Sequence, residues 1–181
     1  VSPSSIPTLT TPRLTLRAIE TDDLDGYTAI WSDDEFRRHI GGGPTPSRDA
    51  VWHAMAGNIG CWALTGVGPW SVVENATGDL VGRAGLWSEP DWPGIEAVWF
   101  LGRPRWGQGY ATEAGEASIG YAFDRLDIER VVSVIKPENT RSVQVARRLG
   151  MAVASRECLH GADHDVWAIS RGAWAARLAT S

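Results

Sequence analysis

A carboxylate leads an otherwise apolar run at Glu96-Ala97-Val98-Trp99-Phe100-Leu101, and a glycine turn, Gly107-Gln108-Gly109, follows close behind. The run, with its β-branched and aromatic residues, reads as a buried strand. The glycines leave the backbone of the turn free of Cβ atoms. A helix opens at about Tyr110, and Ala111, Ala114, Gly115, Ser118 and Ala122 give it a narrow face that can lie close to a sheet. Strand, bare turn and helix N-terminus together make an anion cradle. Several N–H groups point outward as a set, backed by the positive end of the helix dipole. Two common versions of such a cradle are excluded. No Gly-x-x-x-x-Gly-Lys-Ser/Thr occurs, and Thr112 holds the third glycine position of a Gly-x-Gly-x-x-Gly fingerprint.

The elements that must position this stretch follow from periodicity. Residues 1–12, rich in Ser, Thr and Pro, read as a loose arm. Arg13 to Arg17 alternates polar and apolar as a half-buried strand. Thr21-Asp22-Asp23 opens a helix through Leu24, Tyr27 and Trp31. Asp33-Asp34-Glu35 and Gly41-Gly42-Gly43-Pro44 bracket an irregular, mobile passage. A second helix starts near Ser47 and weakens at Gly57 and Gly60. Trp70 to Glu74 and Leu80 to Trp87 form a hairpin about Asn75 to Asp79. Beyond the central helix, Arg130 to Ile135 is a β-branched strand. Pro137-Glu138-Asn139 then starts a helix that closes at Gly150, with Arg147 and Arg148 in its last turn. Strands at Ala152 to Leu159 and His164 to Ser170, and a short helix from Gly172 to Leu178, complete the chain. The order predicts a mixed α/β protein with a largely antiparallel sheet.

Composition narrows the function. At 181 residues, one domain with a sizeable core is the natural count. A net charge of −5 without a basic patch argues against nucleic acid. Two cysteines, Cys61 and Cys158, allow neither a disulfide scaffold nor a Cys-rich zinc site, and Cys158 reads as a small core residue. No apolar stretch is long enough for a membrane helix, and the expected setting is the cytoplasm. His160 and His164 flank a turn with Asp163 and Asp165, which reads as a solvated turn and not as a metal site.

Trp106-Gly107-Gln108-Gly109-Tyr110-Ala111 resembles the pyrophosphate loop Gln/Arg-x-x-Gly-x-Gly/Ala of the GNAT N-acetyltransferases. Trp-Gly-x-Gly-Tyr-Ala-Thr-Glu-Ala is common in the branch that acetylates N-termini of ribosomal proteins; Trp106 departs from the superfamily's Gln/Arg but suits that branch. A second stretch, Asn139-Thr140-Arg141-Ser142 followed by Arg148-Leu149-Gly150-Met151, is similar to the family's Asn-x-x-Ser…Leu-Gly-Phe, with Met for Phe. The resemblance runs from Arg13 to Ser170. It implies the GNAT fold: an α+β domain over 13–181 whose mostly antiparallel sheet has a splayed central strand and flanking helices.

The resemblance also implies acetyl-CoA as acyl donor. Its pyrophosphate would rest on the N–H groups of Gln108, Gly109, Tyr110, Ala111 and Thr112, beside Trp106 and Gly107. Its pantetheine arm would pair with the open edge of Trp99, Phe100 and Leu101. Asn139 and Ser142 would contact the same ligand, although Asn139 also reads as a helix cap. Glu96 stands where the family has a carboxylate general base. The position of the family's usual proton-donating Tyr is Ala146, which leaves Ser142, a water or Cys158 for that step, or a thiolate that departs unaided. Asp33, Asp34, Glu35, Trp87 and Trp92, with Glu89 and Asp91, are expected at the acceptor entrance, where acids and indoles suit an ammonium. Two readings stand: an N-acetyltransferase acting on a peptide α-amine or small-molecule amine by direct attack in a ternary complex, and a non-catalytic acyl-CoA sensor on the same fold. Neither nucleic acid nor a membrane is expected as a partner, and assembly as a homodimer is left open.

Overall fold

A computed structural model describes residues 6–38, 43–159 and 161–180. The Gly41-Gly42 pair and His160 lie outside them. Eight strands form one sheet in the order β1-β2-β3-β4-β5-β6-β8-β7. They are β1 Leu9–Thr10, β2 Leu14–Arg17, β3 Pro69–Glu74, β4 Leu80–Trp87, β5 Glu96–Leu101, β6 Arg130–Ile135, β7 Ala152–Leu159 and β8 Ala162–Ser170. The helices are α1 Leu24–Trp31, α2 Asp34–Arg38, α3 Arg48–Thr65, α4 Tyr110–Arg125, α5 Thr140–Arg148 and α6 Arg171–Leu178.

Every neighbouring pair is antiparallel except β5 and β6, which run parallel and register only at Glu96 and Val132. Past that point the two strands part, as the splayed central strand requires. Parallel strands need a crossover, and α4 supplies it. Its small face works as the spacing predicts: Ala114, Gly115, Ser118 and Ala122 are buried. A Cβ on Gly115 would come within 2.9 Å of Leu149 Cδ1, so the bare backbone there lets α5 pack close. Ile119, on the same helix, is fully buried and contributes about 2 kcal/mol of hydrophobic stabilisation.

Two apolar clusters share α4. One joins Ile119, Phe123, Val131, Leu149, Trp167 and Trp174 beneath β5, β6 and β8. The other joins Leu14, Leu16, Trp62, Trp70, Val81 and Tyr110 beneath β2 to β5. A third, of Leu24, Tyr27, Val51 and Met55, holds α1 to α3.

Several expectations need correction. The 1–12 segment is not loose over its described part: Ile6 is buried, Leu9–Thr10 pairs with β2, and Trp70 Nε1 donates to the Pro7 carbonyl at 2.7 Å. The tie is made by a residue far along the chain, which local composition does not show. The passage after Asp33 contains α2, capped where Asp33 Oδ1 accepts from the Phe36 N–H at 3.0 Å. Helix α3 runs through Gly57 and Gly60 to Thr65, because its buried residues outweigh the glycine penalty. Cys158 is exposed on the edge strand β7 and is no part of the core.

Candidate active site

Helix α4 begins without any side-chain cap. Gly109, at φ +83, is its N-cap residue, and Gly107 is also left-handed at φ +74. The N–H groups of the first turn therefore face outward with no intrahelical acceptor. Arg13 braces the turn: its Nη1 donates to the Gln108 carbonyl at 2.8 Å, and its guanidinium pairs with Glu113 at 2.6 Å. Tyr110 is tied to the sheet through its hydroxyl, which donates to Glu74. Trp106 donates its indole N–H to the Leu101 carbonyl at 2.7 Å and carries the Arg141 guanidinium 4.4 Å from its ring centre.

A cavity of about 780 Å³ opens in front of this cradle. Trp99, Phe100, Leu101, Trp106, Gly107, Gly109, Tyr110, Ala111, Thr112, Asn139 and Ser142, all expected at the cofactor, line it. Gln108 does not; it turns its side chain to the Pro104 carbonyl. Arg13, Arg105, Arg141 and Arg148 also line the cavity, beside Glu113 and Glu116, and leave an excess of cationic groups that sequence reasoning did not assign. Arg148 carried a signal, as a cation in the last turn of a motif helix; Arg13 carried none. The Thr112 hydroxyl is buried without a hydrogen-bond partner among the described residues. An uncapped helix start, two left-handed glycines, several arginines and an orphaned hydroxyl in one cavity fit a diphosphate-bearing ligand.

A second cavity, of about 450 Å³, lies in the gap between β5 and β6. Trp99, Phe100, Asn139 and Ser142 line both cavities, so the two meet there. Asn139 caps α5 by accepting from the Ser142 N–H at 3.2 Å, and its amide nitrogen has no partner among the described residues. Ser142 Oγ accepts from Trp99 Nε1 at 3.3 Å. Ala146 is fully buried in the core and offers no proton.

Glu96 lines the second cavity from its floor. It is buried, and both carboxylate oxygens are held: Oε1 by the Val134 N–H at 2.9 Å and Oε2 by Trp92 Nε1 at 2.8 Å. Burial pushes its pKa up to about 7, and the charge of Glu89 adds to the rise. The two N–H donors and the nearby Arg83 act in the opposite direction but do not cancel it.

The acids expected at an acceptor entrance are engaged elsewhere. Asp33 pairs with Arg103 at 2.7 Å, Asp34 with Arg37, and Glu35 with Arg38 at 2.8 Å and Arg141 at 3.4 Å. None of the three is among the described residues lining either cavity. Two of these pairs follow from α2 itself, which sets acids and arginines three residues apart. Trp92 serves Glu96 as a hydrogen-bond donor, and Trp87 stands across from Glu96 on β4. Among the described residues no group of His, Cys, Asp and Glu could hold a metal ion, and no helix is long and apolar enough to cross a membrane.

The comparisons with known proteins agree with this geometry. The model of an acetyltransferase (GNAT) domain matches residues 13–152. An uncharacterized N-acetyltransferase, p20, of Bacillus licheniformis is 32% identical over 145 residues, 78% of this chain and 80% of that protein. The crystal structure of an acetyltransferase from Agrobacterium tumefaciens superposes with a TM-score of 0.78 at 30% identity, over 91% of this chain and 95% of that one. An aminoglycoside acetyltransferase in complex with coenzyme A shares the fold, with a TM-score of 0.76 at 18% identity, over 90% of this chain and 98% of that one. With the parted strands, the uncapped glycine turn and the buried glutamate in place, this chain belongs to the GNAT acetyltransferase family.

Proposed function

We propose that the protein transfers the acetyl group of acetyl-CoA to a primary amine by direct attack in a ternary complex, with Glu96 as general base. The observation that carries this reading is the position and state of Glu96: a buried carboxylate with its pKa near 7, facing a cavity that joins the cradle's cavity. A base of that strength accepts a proton from an alkylammonium at neutral pH, directly or through one water. Acetyl-CoA supplies the acyl group activated as a thioester. The turn and first helical N–H groups of Gly109 to Thr112, with Arg13 beside them, hold its diphosphate. The free edge of β5 from Trp99 to Leu101 and the Asn139 amide nitrogen align its arm.

Each oxygen of Glu96 already accepts one hydrogen bond and keeps a lone pair for the incoming proton. The other proton, which the attacking nitrogen still carries, reaches the departing thiolate through the Ser142 hydroxyl, which takes that proton up as it gives its own to the sulfur. Ser142 Oγ uses a lone pair on the Trp99 indole and keeps its own O–H free to donate.

Release of free thiol from acetyl-CoA, followed across a panel of amines, tests the reading. Amine-dependent release that falls roughly a hundredfold or more in Glu96→Gln supports it. A protein that binds acetyl-CoA and releases no thiol with any amine is a sensor and not a transferase.

A further inference from the structure

The second cavity is electrically lopsided. At its inner end stands Glu96, the only carboxylate among the described residues lining it. Lys136 and His164, both less buried than Glu96, also line it. Ile135 pairs with Asp165 across β6 and β8, so Lys136 and His164 are the next residues to face each other. Lys136 is the only lysine in a sequence whose other basic residues are all arginines. It is half-buried, and no carboxylate pairs with it among the described residues.

His164 Nδ1 lies 2.9 Å from the Ala162 carbonyl, which fixes the proton on that nitrogen and leaves Nε2 toward other partners. A further cation, Arg83, stacks 4.3 Å over the ring of Phe100, itself a wall of the cavity. Arg83 has a single hydrogen-bond acceptor, Asn58, and no carboxylate partner among the described residues.

Of the acids nearby, none but Glu96 lines the cavity among the described residues, and Glu89 is close enough to act on Glu96. Asp165 pairs with Arg156 at 2.8 Å, and Glu157, across β7 from His164, accepts from Ser155 at 3.0 Å. Glu138 and Asp163 are exposed.

We propose that this cavity takes an acceptor amine that also carries a carboxylate, the ammonium toward Glu96 and the carboxylate on Lys136 beside His164. The proposal rests on the acetyl-transfer reading and narrows it to amino-acid-like acceptors. Lys136 lies two positions beyond Val134, whose N–H holds Glu96, about 7 Å farther along the chain. The charges on acceptor and wall then alternate in sign along the cavity: carboxylate floor, ammonium, carboxylate, lysine. The acceptor charge opposes what Asp33, Asp34 and Glu35 imply, because those acids are ion-paired away from the cavity.

The experiment compares ω-amino acids of increasing chain length, each with its own amide, on wild type, Lys136→Met and Lys136→Arg. Two readouts are taken: turnover with acetyl-CoA, and calorimetric binding to protein saturated with coenzyme A. The acid is expected to exceed its amide in kcat/KM by about tenfold at the best chain length, through KM. Lys136→Met removes that advantage and leaves the amide within about twofold, Lys136→Arg keeps part of it, and added salt weakens it.

Amides that equal or surpass the acids, or a Lys136→Met protein that loses both alike, overturn the proposal. If no amine turns over but the acids still bind in a Lys136-dependent way, the carboxylate seat stands and the transfer reading falls. Turnover with no preference for acids does the reverse.

Discussion

Oε1 of Glu96 accepts the N–H of Val134 at 2.9 Å, across the point where their strands part. One bond earlier the ladder is regular, with the Val132 N–H donating to the Ile95 carbonyl at 2.9 Å. The glutamate side chain thus takes over a backbone acceptor's place at the mouth of the gap. It satisfies an N–H that the splay would orphan, and it turns a carboxylate toward the cavity.

That double duty has a signature in stability. Glu96 keeps its proton up to about pH 7 when folded, against an ordinary value of 4.5. Between those values the unfolded chain gives up the proton first, so stability falls as pH rises, by on the order of 3 kcal/mol in full. Below that window the group contributes no slope, and above it the loss is complete. In Glu96→Gln this fall disappears, as urea denaturation on either side of the window will show.

Trp92 bears on the proposed role of Glu96. Its indole N–H on Oε2 holds the pKa of Glu96 down against burial. Trp92→Phe removes a hydrogen bond to a charged group, so the pKa of Glu96 rises by about one unit. The acid limb of the kcat/KM profile is expected to move to higher pH by that amount, with acetyl-CoA affinity unchanged.

The cradle is tested at Gly109. Its φ of +83 strains any residue with a Cβ, and that Cβ would sit 3.3 Å from Arg13 Nη2. Gly109→Val is expected to stay folded and to bind acetyl-CoA roughly tenfold or more weakly, as loss of N–H contacts to a charged group dictates. Isothermal titration reads this directly.

Two other glycines carry opposite signs. At Gly82 on β4 a Cβ would lie 2.2 Å from the Phe100 carbonyl oxygen, on the strand that borders the cavity, and φ is +150. Backbone cannot yield as a side chain does, so Gly82→Ala is expected to destabilise by about 2 kcal/mol or more. At Gly57, exposed inside α3, a Cβ would meet nothing within 4 Å. Gly57→Ala is expected to stabilise by roughly 0.5–1 kcal/mol. Thermal unfolding of the pair checks both.

What was legible in the sequence was local. The run from Glu96 to Ala122 announces strand, turn and helix through neighbours a few residues apart, and Asn139 announces its cap by type and place. What was hidden joins distant positions. Nothing near Asp33 shows that Arg103 will neutralise it, and nothing near Leu9 shows that Trp70 will reach back to Pro7. The ion pairing of Asp33, Asp34 and Glu35 is hidden for that reason. The density of acids along a stretch does not show their partners, and the meeting of Lys136 and His164 at the second cavity depends on strands whose pairing is long-range.

The clamp by Arg13 bears on how the protein acquires its binding end. Its contacts to Gln108 and Glu113 close loops of 95 and 100 residues. Lengthening such a loop adds little to its closure entropy, but contacts this remote form late in folding. Arg13 leaves the ribosome long before the turn it will hold, and the turn reaches its final shape only when β2, which Arg13 precedes, is docked. A fragment that starts after Arg17 keeps both glycines and all of α4, yet lacks the tether that sets the mouth of the helix.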